Sequence, residues 1–373
     1  MQFNKWTIAL AATGVVSFAA QADEHPISSA ISGTTLSGYA DASGIWNFGR
    51  GSGVAPRAAN TSASRQDGFN LNAVKLALEK PLDEGTWSAG YKVETIFGPD
   101  ATDLPGLVAD QVALKQAYIA VRAPVGNGID FKLGHFDPIV GYEVFDSYAN
   151  PNFSRSFGYA LEPLGHTGIL ASYQFNEVFG ASAGVANSGS LNGSALTARA
   201  GTGGTAESVK NYMASVVAKA PESTGWLAGS SLYAGVVDGG IRDGKDSLLV
   251  YVGGTMATPW KELTVGAAYD YVNHVNGARG HANAVALYLS YQVTEKLKLN
   301  NRVEYATMSG FYDDGDFSAS NKIFADTLTA DYALWANVVT RLEFRWDHGA
   351  NGFTRFGGQR NDISLAANVI YKF

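Results

Sequence analysis

Arg341, Glu343, Arg345 and Asp347 alternate with Thr340, Leu342, Phe344 and Trp346. Side chains of an extended strand point to opposite faces at period two, so this stretch carries two guanidiniums and two carboxylates on one face. The same one-sided placement recurs in Lys92 and Glu94, in Arg122, in Asp130 and Lys132, and in Lys298, Arg302 and Glu304. Charges of both signs spaced this way can hold, orient or pass ions. They do not make or break bonds. Other chemistries have thin support. Gly180-Ala-Ser-Ala-Gly184 has the spacing of a serine-hydrolase nucleophile turn. That turn must join a strand to a helix, and here Phe179, Ala181, Ala183 and Val185 alternate straight through it. Gly49-Arg-Gly-Ser-Gly53 lacks the third glycine of a dinucleotide loop, and Asp313-Asp-Gly-Asp316 lacks the spacing of a calcium loop. The histidines show no metal-binding spacing and there is no cysteine, so neither a metal nor a cofactor is expected.

The elements that must position these charges are strands. The last residues, Asp362 to Phe373, alternate cleanly: Ile363, Leu365, Ala367, Val369, Tyr371 and Phe373 face one way. Asp362, Ser364, Ala366, Asn368 and Lys372 face the other, with Ile370 the lone apolar intruder. About ten residues of this pattern suffice for a tilted strand to cross a bilayer. Similar stretches recur along the chain, giving about sixteen strands whose connections alternate between short turns and long loops. Trp87, Trp226, Trp260 and Trp335 all fall at short turns, where an interfacial girdle belongs. A soluble sandwich has no reason to gather tryptophans on one rim. The expected fold is therefore all-β: a transmembrane antiparallel up-and-down barrel with a wet, charged lumen, short periplasmic turns and long extracellular loops.

Targeting agrees with a membrane barrel. Lys5 heads an apolar run from Trp6 to Ala20 that ends in Ala20-Gln21-Ala22. This is the form of a secretory signal peptide, with cleavage expected after Ala22 and the barrel occupying residues 23–373. The net charge of −7 argues against nucleic acid as a partner. The longest irregular stretch, about residues 135–166, is the third outer loop and a candidate constriction. It carries Asp137, Glu143, Asp146, Arg155 and Glu162, with Tyr142, Tyr148, Phe153 and Phe157 available to pin it to the wall.

Several segments carry a resemblance: Phe69 to Pro81, Gly126-Asn-Gly128, Gly134 to Glu143, Asn150 to Ser156 and His166-Thr-Gly168. Together they are similar to the OmpL-like family of β-barrel porins, continuously from about Phe69 to Phe175. The resemblance implies a channel in the outer membrane of a Gram-negative bacterium. The terminal aromatic pair, Tyr371 and Phe373, resembles the signal by which the barrel assembly machinery reads outer-membrane proteins. A porin so placed is expected to pass small hydrophilic solutes and ions through a water-filled lumen. Its partners would be outer-membrane lipid, lipopolysaccharide and, as chain length suggests, two further copies in a homotrimer. Acids on the third loop, set against a nearly balanced wall, predict a weak cation preference. Two rival uses of the barrel are a channel for a preferred substrate and a conduit enclosing a partner protein. An outer-membrane hydrolase would need a Ser, His and acid at one depth, which the chain does not offer.

Overall fold

The computed structural model describes residues 33–48, 65, 67–83, 87–104, 107–187, 189–190, 193–194, 210–242, 245–276, 279–309, 320–350 and 359–373. Residues 1–22, where a signal peptide is expected, and the stretches 49–53 and 313–316 lie outside them. Sixteen strands form the wall. They are β1 (Thr35–Asn47), β2 (Gly68–Lys80), β3 (Ser88–Phe97), β4 (Val112–Ala123), β5 (Ile129–Phe136), β6 (His166–Gln174), β7 (Phe179–Asn187) and β8 (Lys210–Lys219). There follow β9 (Ser231–Arg242), β10 (Lys245–Ala257), β11 (Leu263–Asn276), β12 (Arg279–Gln292), β13 (Leu297–Ser309), β14 (Ser320–Trp335), β15 (Val338–Ala350) and β16 (Asn361–Lys372). Each pairs antiparallel with its neighbour in sequence, and β1 also pairs with β16, from Tyr39↔Lys372 to Asn47↔Ser364. Closure leaves no open edge, which is what lets a sheet stand in hydrocarbon.

The alternation on β16 decides its two faces. Val369 and Tyr371 are about half exposed on the outside, whereas Asp362, Ser364, Ala366 and Asn368 are buried inside. Ile370, the apolar intruder, packs within an interior cluster with Tyr39, Ile96, Leu104 and Phe145. Its side chain meets protein rather than water. The four turn tryptophans are 51–71% exposed at the short-turn end, and Trp46, Phe48 and Phe69 are exposed at the other end of β1 and β2. Both rims of the apolar band thus carry aromatic rings, as an interfacial belt requires.

Trp226 lies in a 3-10 turn, Glu222–Leu227, and β9 begins after it at Ser231. The outer connections after β9 and β11 are shorter than the alternation implies, because pairing continues to Arg242↔Lys245 and Asn276↔Arg279. Beyond the bilayer both faces of a strand meet water, so pairing outlasts the apolar signal that marks it.

The lumen also differs from a uniformly wet tube. The stretch between β5 and β6, residues 137–165, folds inside the barrel. Its Val140, Phe157 and Leu161 join inward-facing Leu170, Met213, Val237, Leu249, Val272 and Ala284 in one buried cluster. Arg302, Glu304, Glu343, Arg345 and Asp347 are no more than 2% exposed. These charges are tolerated because other groups of the protein meet them, not because water bathes them.

Candidate functional site

The third loop is held by two charged walls. On the first, Arg302 of β13 donates from Nη1 to Glu143 Oε1 (2.8 Å) and to the carbonyl of Ser154 (2.6 Å), and from Nε to Glu304 Oε1 (2.7 Å). Glu304 Oε2 accepts the Phe157 amide at 2.6 Å. Glu343 of β15 accepts the amides of Phe153 (2.6 Å) and Ser154 (3.0 Å) and the Thr329 hydroxyl (2.9 Å). Arg345 donates to the Arg155 carbonyl at 2.7 Å and pairs with Asp347. Arg341 donates to the carbonyls of Ser147 and Asn150, each at 2.7 Å, and pairs with Asp331. Irregular backbone at membrane depth must find partners somewhere. Here wall carboxylates take the loop's N–H groups and wall guanidiniums supply its C=O groups.

The second wall is β2–β4. Glu94 receives Lys75 (3.1 Å), Lys92 (3.2 Å), Lys115 (3.2 Å) and Gln116 (2.8 Å). Lys75 reaches across to Asp146, and Lys115 to Asp137 at 2.7 Å. Within the loop, Arg155 ties the carbonyls of Val144, Phe145 and Phe153 together. Tyr142 stacks on Tyr288 of β12, ring centroids 4.0 Å apart, and its hydroxyl accepts from Thr255 of β10. Gly266 of β11 leaves the room this needs, since a Cβ there would lie 2.0 Å from the Tyr142 oxygen. Glu162 lies against Asp270 of β11, both buried. Burial raises the Glu162 carboxyl well above the ordinary carboxylate range, and Asp270 and Glu143 push it the same way. Burial likewise raises Asp137, against the pull of Lys115.

Beneath the loop, at the short-turn end, lies a cavity of about 690 Å³. Lys92, Lys132, Lys219, Lys298, Tyr118 and Tyr233 are among its lining. Lys132 sits 4.8 Å from the centre of the Tyr118 ring. Arg122 and Asp130 pair with one another at 2.6 Å. Thus the structure gathers Arg302, Glu304, Arg341, Glu343, Arg345 and Asp347 under one side of the loop, and Glu94 and Lys92 under the other. Lys132 and Lys298 stay with the cavity. Asp137, Glu143, Asp146 and Glu162 point to the wall. Ser182 of the hydrolase-like stretch sits mid-strand, its hydroxyl 2.8 Å from that of Ser172. At the seam, Phe373 and Gly38 exchange backbone hydrogen bonds of 3.1 and 2.9 Å, with Tyr371 beside them on the outer face.

Sequence reasoning missed Lys75, Lys115, Lys219 and Asp331. Lys75 was open to the same alternation, because Val74, Leu76 and Leu78 bracket it. Lys115 was not. The register between β3 and β4 slips there, with Glu94↔Gln116 followed by Thr95↔Leu114. That bulge turns two consecutive residues, Lys115 and Gln116, inward.

A closed sixteen-stranded antiparallel barrel with an apolar outer band and a loop folded into its lumen defines an outer-membrane porin-type channel. The chain belongs to the family described as "Putative beta-barrel porin-2, OmpL-like", whose model matches residues 33–373. Its place is the outer membrane of a Gram-negative bacterium. Among solved structures it is similar to the outer membrane channel DcaP of Acinetobacter baumannii, at 14% identity and TM-score 0.59, over 91% of this chain and 97% of that one. It is similar to the anion-selective porin from Comamonas acidovorans, at 14% identity and TM-score 0.60, over 91% and 99%. The trimer form of in-vitro folded OmpT from Vibrio cholerae matches at 12% identity and TM-score 0.58, over 91% and 99%. At these identities the likeness is one of fold. No curated protein matches the chain in sequence.

Proposed function

We propose that this protein passes small hydrophilic solutes and ions by passive diffusion through a lumen narrowed by residues 137–165. The observation that carries this reading is the seating of that loop: both charged walls hold it inside the barrel above an open cavity. The inward residues then divide their work. Glu304, Glu343, Arg302, Arg341, Arg345 and Asp347 hold the loop, and Lys92, Lys132 and Lys298 face the passage. A chain of this kind performs no chemistry on what it passes.

Tyrosines 118, 142, 148, 159, 233 and 251 line the cavity, which favours a second reading, a channel with a preferred substrate. A conduit needs width for a folded partner, and the loop occupies that width. The trimer form among the structural neighbours supports a homotrimer. The aromatic ending supports recognition of Tyr371 and Phe373 by the barrel assembly machinery. Contact with lipid and lipopolysaccharide follows from the apolar band, and removal of residues 1–22 from the targeting signal. Single-channel recording of the purified protein in planar bilayers tests the main reading. Stepwise, ohmic current is expected. A protein that inserts and yields no steps would sink it.

A further inference from the structure

The cavity beneath the loop has an uneven supply of unfilled hydrogen-bonding capacity. Its lining contains five acids, and each already faces a group of the protein. Glu79 meets Lys92 at 3.2 Å, Asp137 meets Lys115 at 2.7 Å, Glu143 meets Arg302 at 2.8 Å and Asp331 meets Arg341 at 2.7 Å. Glu162 is turned to the Asp270 carboxyl. Among the described residues, Lys132, Lys219 and Lys298 form no ion pair, and all three line this same cavity. Lys298 stands opposite Asp331 in register, but Arg341 holds that carboxylate. Lys132 has only the face of Tyr118.

The geometry points to a vestibule that selects small anions. This rests on the reading of the protein as a porin. An ammonium carries three donors and no acceptor, so three unpaired lysines offer donors that an anion can fill. They come from β5, β8 and β13 and so surround the passage rather than clamp one spot, as a selecting ring does. A cation entering the same space finds the carboxylates occupied, and must break an internal pair to gain one. Glu79, Asp137, Glu143 and Asp331 each neutralise a buried cation, and leaving that cation unpaired is strongly unfavourable, so those acids do not redirect themselves to a passing cation. This reverses the sign expected from the sequence, where the loop acids were expected to set the sign of the lumen. Local recognition decides here, because the charges of the two loop-holding walls nearly balance and are screened by their own pairs.

The test is the reversal potential of full-length protein in a potassium chloride gradient across a planar bilayer. The native channel is expected to prefer chloride, more so at about 0.1 M than at about 1 M salt, because the screening length grows from about 3 to about 10 Å. Replacing the three together, as Lys132→Gln, Lys219→Gln and Lys298→Gln, should carry the reversal potential through zero toward potassium. The exposed turn lysines, changed as Lys261→Gln and Lys296→Gln, should leave it in place. Should the triple variant fail to insert, the single variants are read instead, each with part of the shift. Potassium preference in the native channel, no shift in the vestibule variants, or an equal shift from the turn variants overturns the inference and leaves the porin intact. Absence of any conductance from the native protein would instead remove the porin reading itself.

Discussion

Arg302 of β13 and Glu143 of the third loop meet at 2.8 Å with neither side chain exposed, although they are 159 positions apart in sequence. The contact ties the loop to the wall at its most buried point. Replacing Arg302 with Met leaves Glu143 and Glu304 without their shared cation. Breaking a buried pair from one side costs about 3–5 kcal/mol. That cost falls on the seating of the loop, since the ladders of β13 with β12 and β14 remain. The Arg302→Met barrel is expected to insert and to shift on heating in gels as the native one does. Its single-channel conductance should be larger and noisier. An unchanged conductance would show that this pair does not hold the constriction.

A softer version of the same change is available at Gly266. Any side chain there collides with the Tyr142 hydroxyl. Gly266→Val should unstack Tyr142 from Tyr288 and loosen the loop without adding or removing a charge. Conductance noise should rise while ion selectivity holds. A variant as quiet as the native channel would place the loop's anchorage elsewhere.

The seam yields a prediction about assembly. A Cβ on Gly38 would lie 2.1 Å from the Lys75 carbonyl oxygen and 2.7 Å from the ring of Phe373. Glycine is therefore what lets β1 lie between β2 and the chain's end. Gly38→Val should lower the yield of heat-modifiable barrel sharply by obstructing closure. Phe373→Ser should lower it too, but through recognition, and the purified variant should still refold in detergent. Equal refolding of both variants would mean the seam is not sterically set by Gly38.

The wall was legible in the sequence because the bilayer imposes period two on every strand that crosses it. The inward phase of Arg341, Glu343, Arg345 and Asp347 needed only that rule. What those side chains touch was not legible. Glu343 accepts amides of Phe153 and Ser154, some 190 residues away, and no local pattern encodes such a meeting. The bulge at Lys115 was hidden for a different reason: a register slip reverses the phase that the reading depends on. The apolar inner face of β6–β12 was hidden as well. Leu170, Met213 and Val237 look out of place in a wet lumen until the loop supplies their partners.

The loop's pH response follows from Glu162. Its carboxyl is raised well above the ordinary value of 4.5, chiefly by burial, and then by Asp270 and Glu143. The Tyr142 amide, hydrogen-bonded to it, pulls the other way. Seated, Glu162 holds a proton that it would release once free in water. Protons therefore bind more strongly to the seated loop, and seating is strongest at low pH. It weakens as pH rises from the ordinary carboxylate range through the raised value. The carboxyls facing Glu162 act the same way, since an ionised Glu162 is repelled by Asp270 on β11 and by Glu143 of the loop itself. Glu162→Gln keeps a neutral hydrogen-bonding side chain of the same size at every pH. Current noise of the native channel is expected to grow as pH rises from the ordinary carboxylate range through the raised Glu162 value, and that growth should be largely lost in Glu162→Gln. Noise that rises equally in both would assign the pH response to another group and leave Glu162 as packing alone.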